Sequence, residues 1–234
     1  GRTYLYENTA YLPLAFLTEP ELAEVDFTEG SVFKLQNRIF SAATGLPENV
    51  WYTLSGSSLE ITGQDETVSD RNSSGYCSYS QGKKNSAVIY TYTVDQDGFL
   101  CVNLNLPKRN NVAIWLNGVE LYSETMSLQQ TLAVGDVVAG DVVEIKMSCK
   151  SGESGTMTLS AAILNEERFG AGYEVLAAST LELTQFRNTF VEGTIECNRD
   201  GLLYTSIPQN GNWFVQVDGE DADIILIDDV MIAV

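Results

Sequence analysis

The side chains that could do chemistry in this chain are carboxylates and thiols, because its 234 residues include no histidine. The missing imidazole removes the usual general base near neutral pH and the commonest metal ligand. Ser-His hydrolysis and His-ligated zinc are therefore excluded. Carboxylate chemistry such as glycoside hydrolysis needs two acids facing each other across one bond, one with a raised pKa. Asp65-Glu66, Glu166-Glu167, Asp221 with Asp223, and Asp228-Asp229 supply the residue type. Nothing in their spacing brings two clusters together, and they read as solvated surface charge. Calcium could be held by Asp95 and Asp97 or by the acidic cluster at 218–223; Asp95-Gln96-Asp97-Gly98 opens like a calcium loop but has no Glu at the twelfth position, and a plain turn is the expectation. Gly152-Glu153-Ser154-Gly155 precedes a strand rather than a helix, so it is a hairpin loop and not a phosphate cradle. No catalytic, metal-ligating or cofactor-binding residue is assigned, and no cofactor is expected.

Cys77, Cys101, Cys149 and Cys197 are far apart in sequence, which leaves neither a CxxC redox motif nor a zinc knuckle. Cys149 shares the strand phase of Ile145 and Met147, and Cys197 that of Val191 and Ile195. Buried free thiols are expected, with disulfides as the alternative. The aromatics Trp51, Tyr76, Tyr79, Tyr90, Tyr92, Trp115 and Trp213 are of a type that stacks on sugar rings. Tyr76 and Tyr79 lie in a polar stretch and are the candidates for ligand contact.

Thirteen basic residues against 32 acidic ones give a net charge of −19. Such a surface repels nucleic acid and anionic head groups, and no basic run offsets it, so no nucleic-acid partner is expected. No stretch reaches the roughly 18 to 20 apolar residues that cross a bilayer as a helix, and no signal peptide is seen. The chain is expected to be a piece of a longer protein.

The elements that must carry these residues follow from periodicity. Residues 1–56 form a mixed helical and extended N-terminal segment, expected to pack on the β regions. Pro20 suits a first helical position, and apolar spacing predicts a helix around Phe33–Phe40, stopped at Thr44-Gly45-Leu46-Pro47. From 57 the pattern changes to short alternating runs. Strands are expected at 58–62, 86–94, 99–106, 111–116, 119–123, 128–134, 141–148 and 155–164, with a long polar loop over 63–85. Asn117-Gly118 signals a type I′ hairpin. Residues 165–180 break the alternation and read as a connector, helical over Tyr173–Ala178. Strands resume at 181–187, 189–197, 202–207, 213–217, 222–227 and 230–234, with a second hairpin signal at Asp218-Gly219. The fold class is mainly β: a first sandwich over 57–164 and a smaller, truncated one over 181–234, jelly-roll-like.

The two β regions share landmarks. Asp97-Gly98-Phe99-Leu100, Leu106-Pro107 and Trp115-Leu116-Asn117-Gly118 keep the order of Asp200-Gly201-Leu202-Leu203, Ile207-Pro208 and Val217-Asp218-Gly219. An internal duplication is one reading of this, and chance recurrence of strand and turn patterns the other. By this equivalence Trp213 matches Trp115, and alternation puts Trp213, Val215 and Val217 on the core face, with Phe214 and Gln216 outside.

The stretch Asp200-Gly201-Leu202-Leu203-Tyr204-Thr205-Ser206-Ile207-Pro208, followed by Asn212-Trp213-Phe214-Val215-Gln216-Val217-Asp218-Gly219, resembles a block typical of the YfhO family of bacterial membrane proteins. Tyr11-Leu12-Pro13-Leu14-Ala15-Phe16, Phe33-Lys34-Leu35-Gln36-Asn37 and Thr44-Gly45 resemble the family's earlier motifs. Gln209 replaces a usual Tyr, Asn212 stands where Gly precedes Trp, and the family's closing G-x-H-x-I strand has no counterpart. The resemblance implies a parent with many transmembrane helices and a domain on the outer face of the cytoplasmic membrane. It further implies kinship with glycosyltransferases that use lipid-linked sugars, and a link to glycosylation of cell-envelope polymers. The acidic catalytic loop of that class has no match here, so this segment is expected not to be an enzyme. The function so implied is a non-catalytic domain that positions or recognises a glycopolymer acceptor. Its partners would be a cell-envelope glycan and the transmembrane part of the same parent. A free-standing carbohydrate-binding or adhesin-type β-sandwich, or a purely structural spacer, are the competing readings.

Overall fold

The computed structural model describes residues 5, 7–47, 49–55, 58–62, 76–79 and 86–234, with the backbone alone at 59, 61, 107, 127 and 128. The expected loop over 63–75 and 80–85, with its Asp65-Glu66 pair, lies outside the described residues. The chain is mainly β. It opens with β1 (Ala15–Thr18), a 3-10 turn (Pro20–Glu24) and α1 (Val32–Thr44). There follow β2 (Trp51–Thr53), β3 (Ser58–Thr62), β4 (Tyr76–Tyr79), β5 (Ser86–Thr93), β6 (Gly98–Leu116), β7 (Val119–Val137), β8 (Val142–Cys149) and β9 (Gly155–Leu164). After α2 (Glu166–Ala177) come β10 (Glu182–Arg187), β11 (Phe190–Thr194), β12 (Leu202–Pro208), β13 (Val215–Val217), β14 (Glu220–Ala222), β15 (Ile225–Ile227) and β16 (Met231–Ala233).

These elements form two compact units. One takes residues 1–30, 35–49 and 167–234, and the other takes 31–34 and 50–166.

The second of these units is a sandwich folded from antiparallel strands. β6 and β7 are long enough to serve both of its layers. The first half of β6 pairs with β9, and the second half with β8. One layer is therefore β2 and β4 side by side on β9, then β6 and β7. The other is β3, β5, β8, β6 and β7. The crossing between layers falls at an irregularity in β6. Leu106 pairs with Leu128 and Asn110 with Met126, so residues 107–109 face only residue 127. A bulge of this kind bends the strand and tolerates proline. For that reason the two strands expected on either side of Pro107 are one strand, and those expected at 119–123 and 128–134 are likewise one.

Alternation decides which residues fill the space between the layers. Leu100, Val102, Leu104 and Leu106 of β6 point inward, as do Val143, Ile145, Met147 and Cys149 of β8 and Met157, Leu159, Ala161 and Ile163 of β9. Val88, Tyr90 and Tyr92 of β5 complete this core. Most are wholly buried, and each large apolar side chain is worth about 1.5–3 kcal/mol on burial. The β6–β7 hairpin turns at Asn117 (φ 50°) and Gly118 (φ 78°), the positive pair of a type I′ turn.

The other unit rests on the antiparallel sheet β1–β12–β16–β15. Ala15 pairs with Thr205 and Phe16 with Tyr204, and the Phe16 and Tyr204 rings lie 5.3 Å apart. Thr18 Oγ1 donates to Leu202 O at 3.0 Å, and Thr205 Oγ1 to Ile232 O at 2.8 Å, so both buried hydroxyls are satisfied. α1 ends at Gly45, whose φ of 71° fits a left-handed C-terminal cap. α2 begins at Glu166, earlier than the turns expected at 173–178, and its Gly172 lies under the Phe40 ring, where a Cβ would stand 2.1 Å from Cζ. Two hairpins, β10–β11 and β13–β14, form separate two-stranded sheets. Asp218 and Gly219 turn the second with φ of 53° and 84°, the same turn as Asn117-Gly118, but its strands have three residues each where β6 and β7 have 19. Trp213 and Val215 are half-buried while Phe214 and Gln216 are exposed, as alternation predicts. Val217 is exposed instead of buried, because a two-stranded ribbon has little core to offer it.

Candidate functional site

Tyr76 and Tyr79 fall on β4, and period-two alternation sends them to opposite faces. Tyr79 points inward with Cys77 and is 2% exposed. Its partner across the ladder is Gly155, and a Cβ there would stand 2.7 Å from the Tyr79 hydroxyl; glycine makes room for the ring. The hydroxyl lies 3.4 Å from the Asn110 amide. With that amide turned so that its nitrogen donates to Arg109 O at 2.9 Å and Glu153 Oε2 at 3.3 Å, its oxygen accepts from Tyr79. Burial first, then the negative charges of Glu153 and Cys149, push the Tyr79 hydroxyl up to about 12. Tyr79 is therefore a core residue, and the sequence signal for this is the Cys77/Tyr79 alternation inside the polar stretch.

Tyr76 points the other way and is half-buried. Its neighbours across the layer are fixed by register. Tyr76 pairs with Thr158, Thr158 with Asn105, and Asn105 with Gln129. Paired residues share a face, so these four form one row across β4, β9, β6 and β7. A second row holds Ser160, Asn103 and Thr131, and a third Ser78 and Thr156. All nine side chains are uncharged and polar. Two of the three amides are tied together: Asn103 Nδ2 donates to Thr131 Oγ1 at 2.9 Å and to Gln130 O at 3.3 Å, and Gln129 Nε2 donates to Asn103 Oδ1 at 3.5 Å. Asn105, Gln129, Thr131 and Thr156 are exposed.

Beside the second row the polar face stops. Cys101 and Ala162 are buried on this same outer side under Phe33, with Val32, Trp51 and Phe99 packed around them. The Phe33 and Trp51 rings are 5.0 Å apart. The outer face is thus a polar floor with an apolar wall along one side.

Several of the other candidates have structural roles. Asp97 Oδ1 accepts from Ala139 N at 2.9 Å, holding the β7–β8 turn. Asp141 accepts from Asn117 Nδ2 (2.8 Å) and Val138 N (2.9 Å), and these bonds, the Asn117 one first, hold its carboxyl below the usual range. Asp228 and Asp229 sit at φ of 52° and 54° in the β15–β16 turn, and Asp221 Oδ1 accepts from Gln216. No group of three or more metal-ligating side chains comes together among the described residues. All four cysteines are free: Cys77, Cys101 and Cys149 are buried, but Cys197, expected to be buried, is exposed because it follows the short β11 into a surface loop. Burial raises the Cys77 and Cys101 thiols, and burial with Glu153 pushes Cys149 up to about 11, so these three are not nucleophiles at neutral pH. An open cleft of about 730 Å³ in the first unit is lined by Glu19, Glu21, Arg38 and Ser41. Two of its charges are already engaged: Arg38 Nη2 donates to Asp26 O and Glu29 O, and Glu19 is ion-paired with Arg199.

Known proteins give this context. A family 35 carbohydrate binding module from Clostridium thermocellum is 11% identical and aligns over 48% of this chain and 96% of its own, with a TM-score of 0.33. CBM35 from Cellvibrio japonicus Abf62 is 16% identical over 49% and 93%, with a TM-score of 0.33. The catalytic unit of a GH87 alpha-1,3-glucanase from Streptomyces thermodiastaticus strain HF3-3 is 15% identical over 49% and 26%, with a TM-score of 0.30. Likenesses of this size carry nothing about a ligand. No curated protein matches the chain. No helix among the described residues is long and apolar enough to cross a membrane. The family described as bacterial membrane protein YfhO matches residues 1–234, end to end, and the chain is a member of that family.

Proposed function

We propose that this chain is a non-catalytic domain on the outer face of the cytoplasmic membrane, and that it recognises or positions a cell-envelope glycan for the membrane-embedded part of its parent protein. One observation carries the reading: nine uncharged hydrogen-bonding side chains share one sheet face in a chain of net charge −19. Amides and hydroxyls both donate and accept, which is what a polyhydroxylated ligand requires. Family membership supplies the membrane context, and sugar transfer, where the parent performs it, belongs to residues outside this chain.

The segments that carry the family resemblance favour a structural role for the first unit. Leu202–Pro208 is β12, Ala15-Phe16 lies in β1 against it, and Phe33–Asn37 opens α1. β1 and β12 are antiparallel neighbours in one sheet. Calorimetric titration of the protein with a panel of cell-envelope oligosaccharides tests the reading. Binding with a dissociation constant below about 1 mM, or about −4 kcal/mol, is the expected result. No binding by any member of the panel, with the fold intact by circular dichroism, sinks it.

A further inference from the structure

The geometry points to an uncharged glycan segment lying across the strands of the outer face, over the row Tyr76, Thr158, Asn105 and Gln129. This rests on the reading above and goes further, naming the ligand's charge class, its direction and its contacts.

The direction follows from where the polar surface ends. Along β9 the outward residues are Thr156, Thr158 and Ser160, and then Ala162, which is buried under Phe33. Along β6, Asn105 and Asn103 give way to Cys101, buried under the same ring. A chain running along the strands would meet the wall after about three outward side chains, spaced about 6.7 Å apart. Across the strands nothing among the described residues intervenes: the row passes from β4 at one edge to β7 at the other. Four strands at about 4.8 Å spacing give a floor about 14 Å wide. That spacing is close to the length of one pyranose unit, so each strand offers one side chain per sugar.

The row is graded in chemistry. Tyr76 presents a ring at the β4 edge, suited to the apolar face of a sugar. Thr158 brings a hydroxyl that can donate or accept. Asn105 and Gln129 are exposed amides, each offering both N–H and C=O to vicinal hydroxyls. Asn103, 8% exposed and bonded to Thr131, Gln130 and Gln129, holds the Gln129 end in place; it is a positioning residue.

Charge class follows from what the row lacks. Phosphate and carboxylate ligands are held by Arg or Lys forks or helix N-termini. None of the nine side chains is basic, and the field of the whole chain is negative. A phosphate-linked polymer would meet repulsion with no cation in the row to offset it, whereas a neutral glycan would not.

The test uses the whole chain and two kinds of probe: neutral linear gluco- and N-acetylglucosamine oligosaccharides of two to six units, and poly(glycerol phosphate). A neutral probe is expected to bind, with affinity rising with length and levelling off at about three to four units, the span of the row. Binding should change less than about twofold between roughly 50 and 500 mM salt, because no ion pair is made. Asn105→Ala with Gln129→Ala should weaken it at least about tenfold with the melting temperature unchanged, since both side chains are exposed. If poly(glycerol phosphate) binds better and the double variant abolishes that binding, the charge class is overturned while glycan recognition by this face stands. If a neutral probe binds and neither the double variant nor Tyr76→Ala affects it, the location is overturned. If no probe binds, the underlying reading fails as well.

Discussion

Across the outer face of the layer that includes β3, β5 and β8, the register rows run Ser58–Thr91–Glu144–Trp115–Glu120 and Glu60–Ile89–Lys146–Ala113–Ser123. Across the opposite outer face they run Tyr76–Thr158–Asn105–Gln129 and Ser160–Asn103–Thr131. The same two long strands, β6 and β7, contribute to both. They place charge and an indole on one side, and amides and hydroxyls on the other. The first is what a soluble acidic protein ordinarily shows to water. The second gives up the solvation that charge provides, and it holds two of its amides, Asn103 and Gln129, hydrogen-bonded to each other. An aromatic residue alone therefore does not mark a binding face in this molecule. Trp115 lies in register between Glu144 and Glu120, and its buried indole N–H finds no hydrogen-bond partner among the described residues. Tyr76 lies in register with Thr158, in a row that is neutral from edge to edge.

The largest expected effect separates the two tyrosines of β4. Tyr79→Ala removes a fully buried ring and should cost about 3–5 kcal/mol, read as a shift in a denaturant melt. Tyr76→Ala should cost under about 1 kcal/mol and weaken glycan binding. Equal destabilisation by the two would mean that Tyr76 belongs to the core and not to the face.

A pH titration probes the layer between the faces. The Tyr79 hydroxyl is raised to about 12 and the Cys149 thiol to about 11, above their ordinary values of 10.0 and 9.0. The unfolded chain therefore loses these protons first. Their contribution is whole below about pH 9 and is lost as pH rises towards 12. Holding a proton about two pH units longer is worth about 2–3 kcal/mol. Thermal melts from about pH 8 to 11.5 should fall steeply in the wild type. The fall should be shallower in Tyr79→Phe, and identical slopes would contradict the burial of the hydroxyl.

Adding charge tests the faces directly. Asn105→Asp with Gln129→Glu should reduce binding of a neutral glycan at least tenfold, about 1.4 kcal/mol. Removing charge from the opposite face with Glu144→Gln and Glu120→Gln should leave binding unchanged. A reversed pattern would assign the ligand to the charged face. For Trp115→Ala the expected change is in stability alone: a half-buried ring lost for about 1–2 kcal/mol, with no change in glycan affinity by titration.

Local signals in the sequence are enough for much of the sandwich. The alternation in 86–94, 141–148 and 155–164 matches β5, β8 and β9 within a residue or two, and Asn117-Gly118 adopts its expected turn. β1 has no such signal, because a four-residue strand beside Pro13 has no period to show and is held by a partner far along the chain. The polar face is half visible: Thr156, Thr158 and Ser160 alternate against Met157, Leu159 and Ala161, as Asn103 and Asn105 do against Val102 and Leu104. No local pattern says that β4, β9, β6 and β7 lie side by side in that order. Register between distant strands is a property of the fold, and the row exists only through it. Tyr79 reads like Tyr76 because Ser78 and Ser80 make the stretch look like loop, although Cys77 and Tyr79 carry a strand's period.

The pairing of β1 with β12 bears on the order in which the protein is assembled during synthesis. Thr18 and Leu202 are 184 residues apart, and closing such a loop from an open chain costs about 4–5 kcal/mol of entropy. The sandwich between them draws its own ends together, since Asn165 N donates to Val50 O at 2.8 Å. Once it has folded, the effective loop from β1 to β12 is well under half as long, and the closure cost falls by about 1 kcal/mol. The nascent N-terminal strand must wait for a partner that leaves the ribosome late, while the sandwich can form as soon as β9 has emerged. Its contact order is high, and folding on the millisecond-to-second scale is expected. The sandwich thus acts as a clasp that shortens the path between β1 and β12, and a destabilised sandwich would leave β1 for longer as an unpaired apolar edge open to other chains.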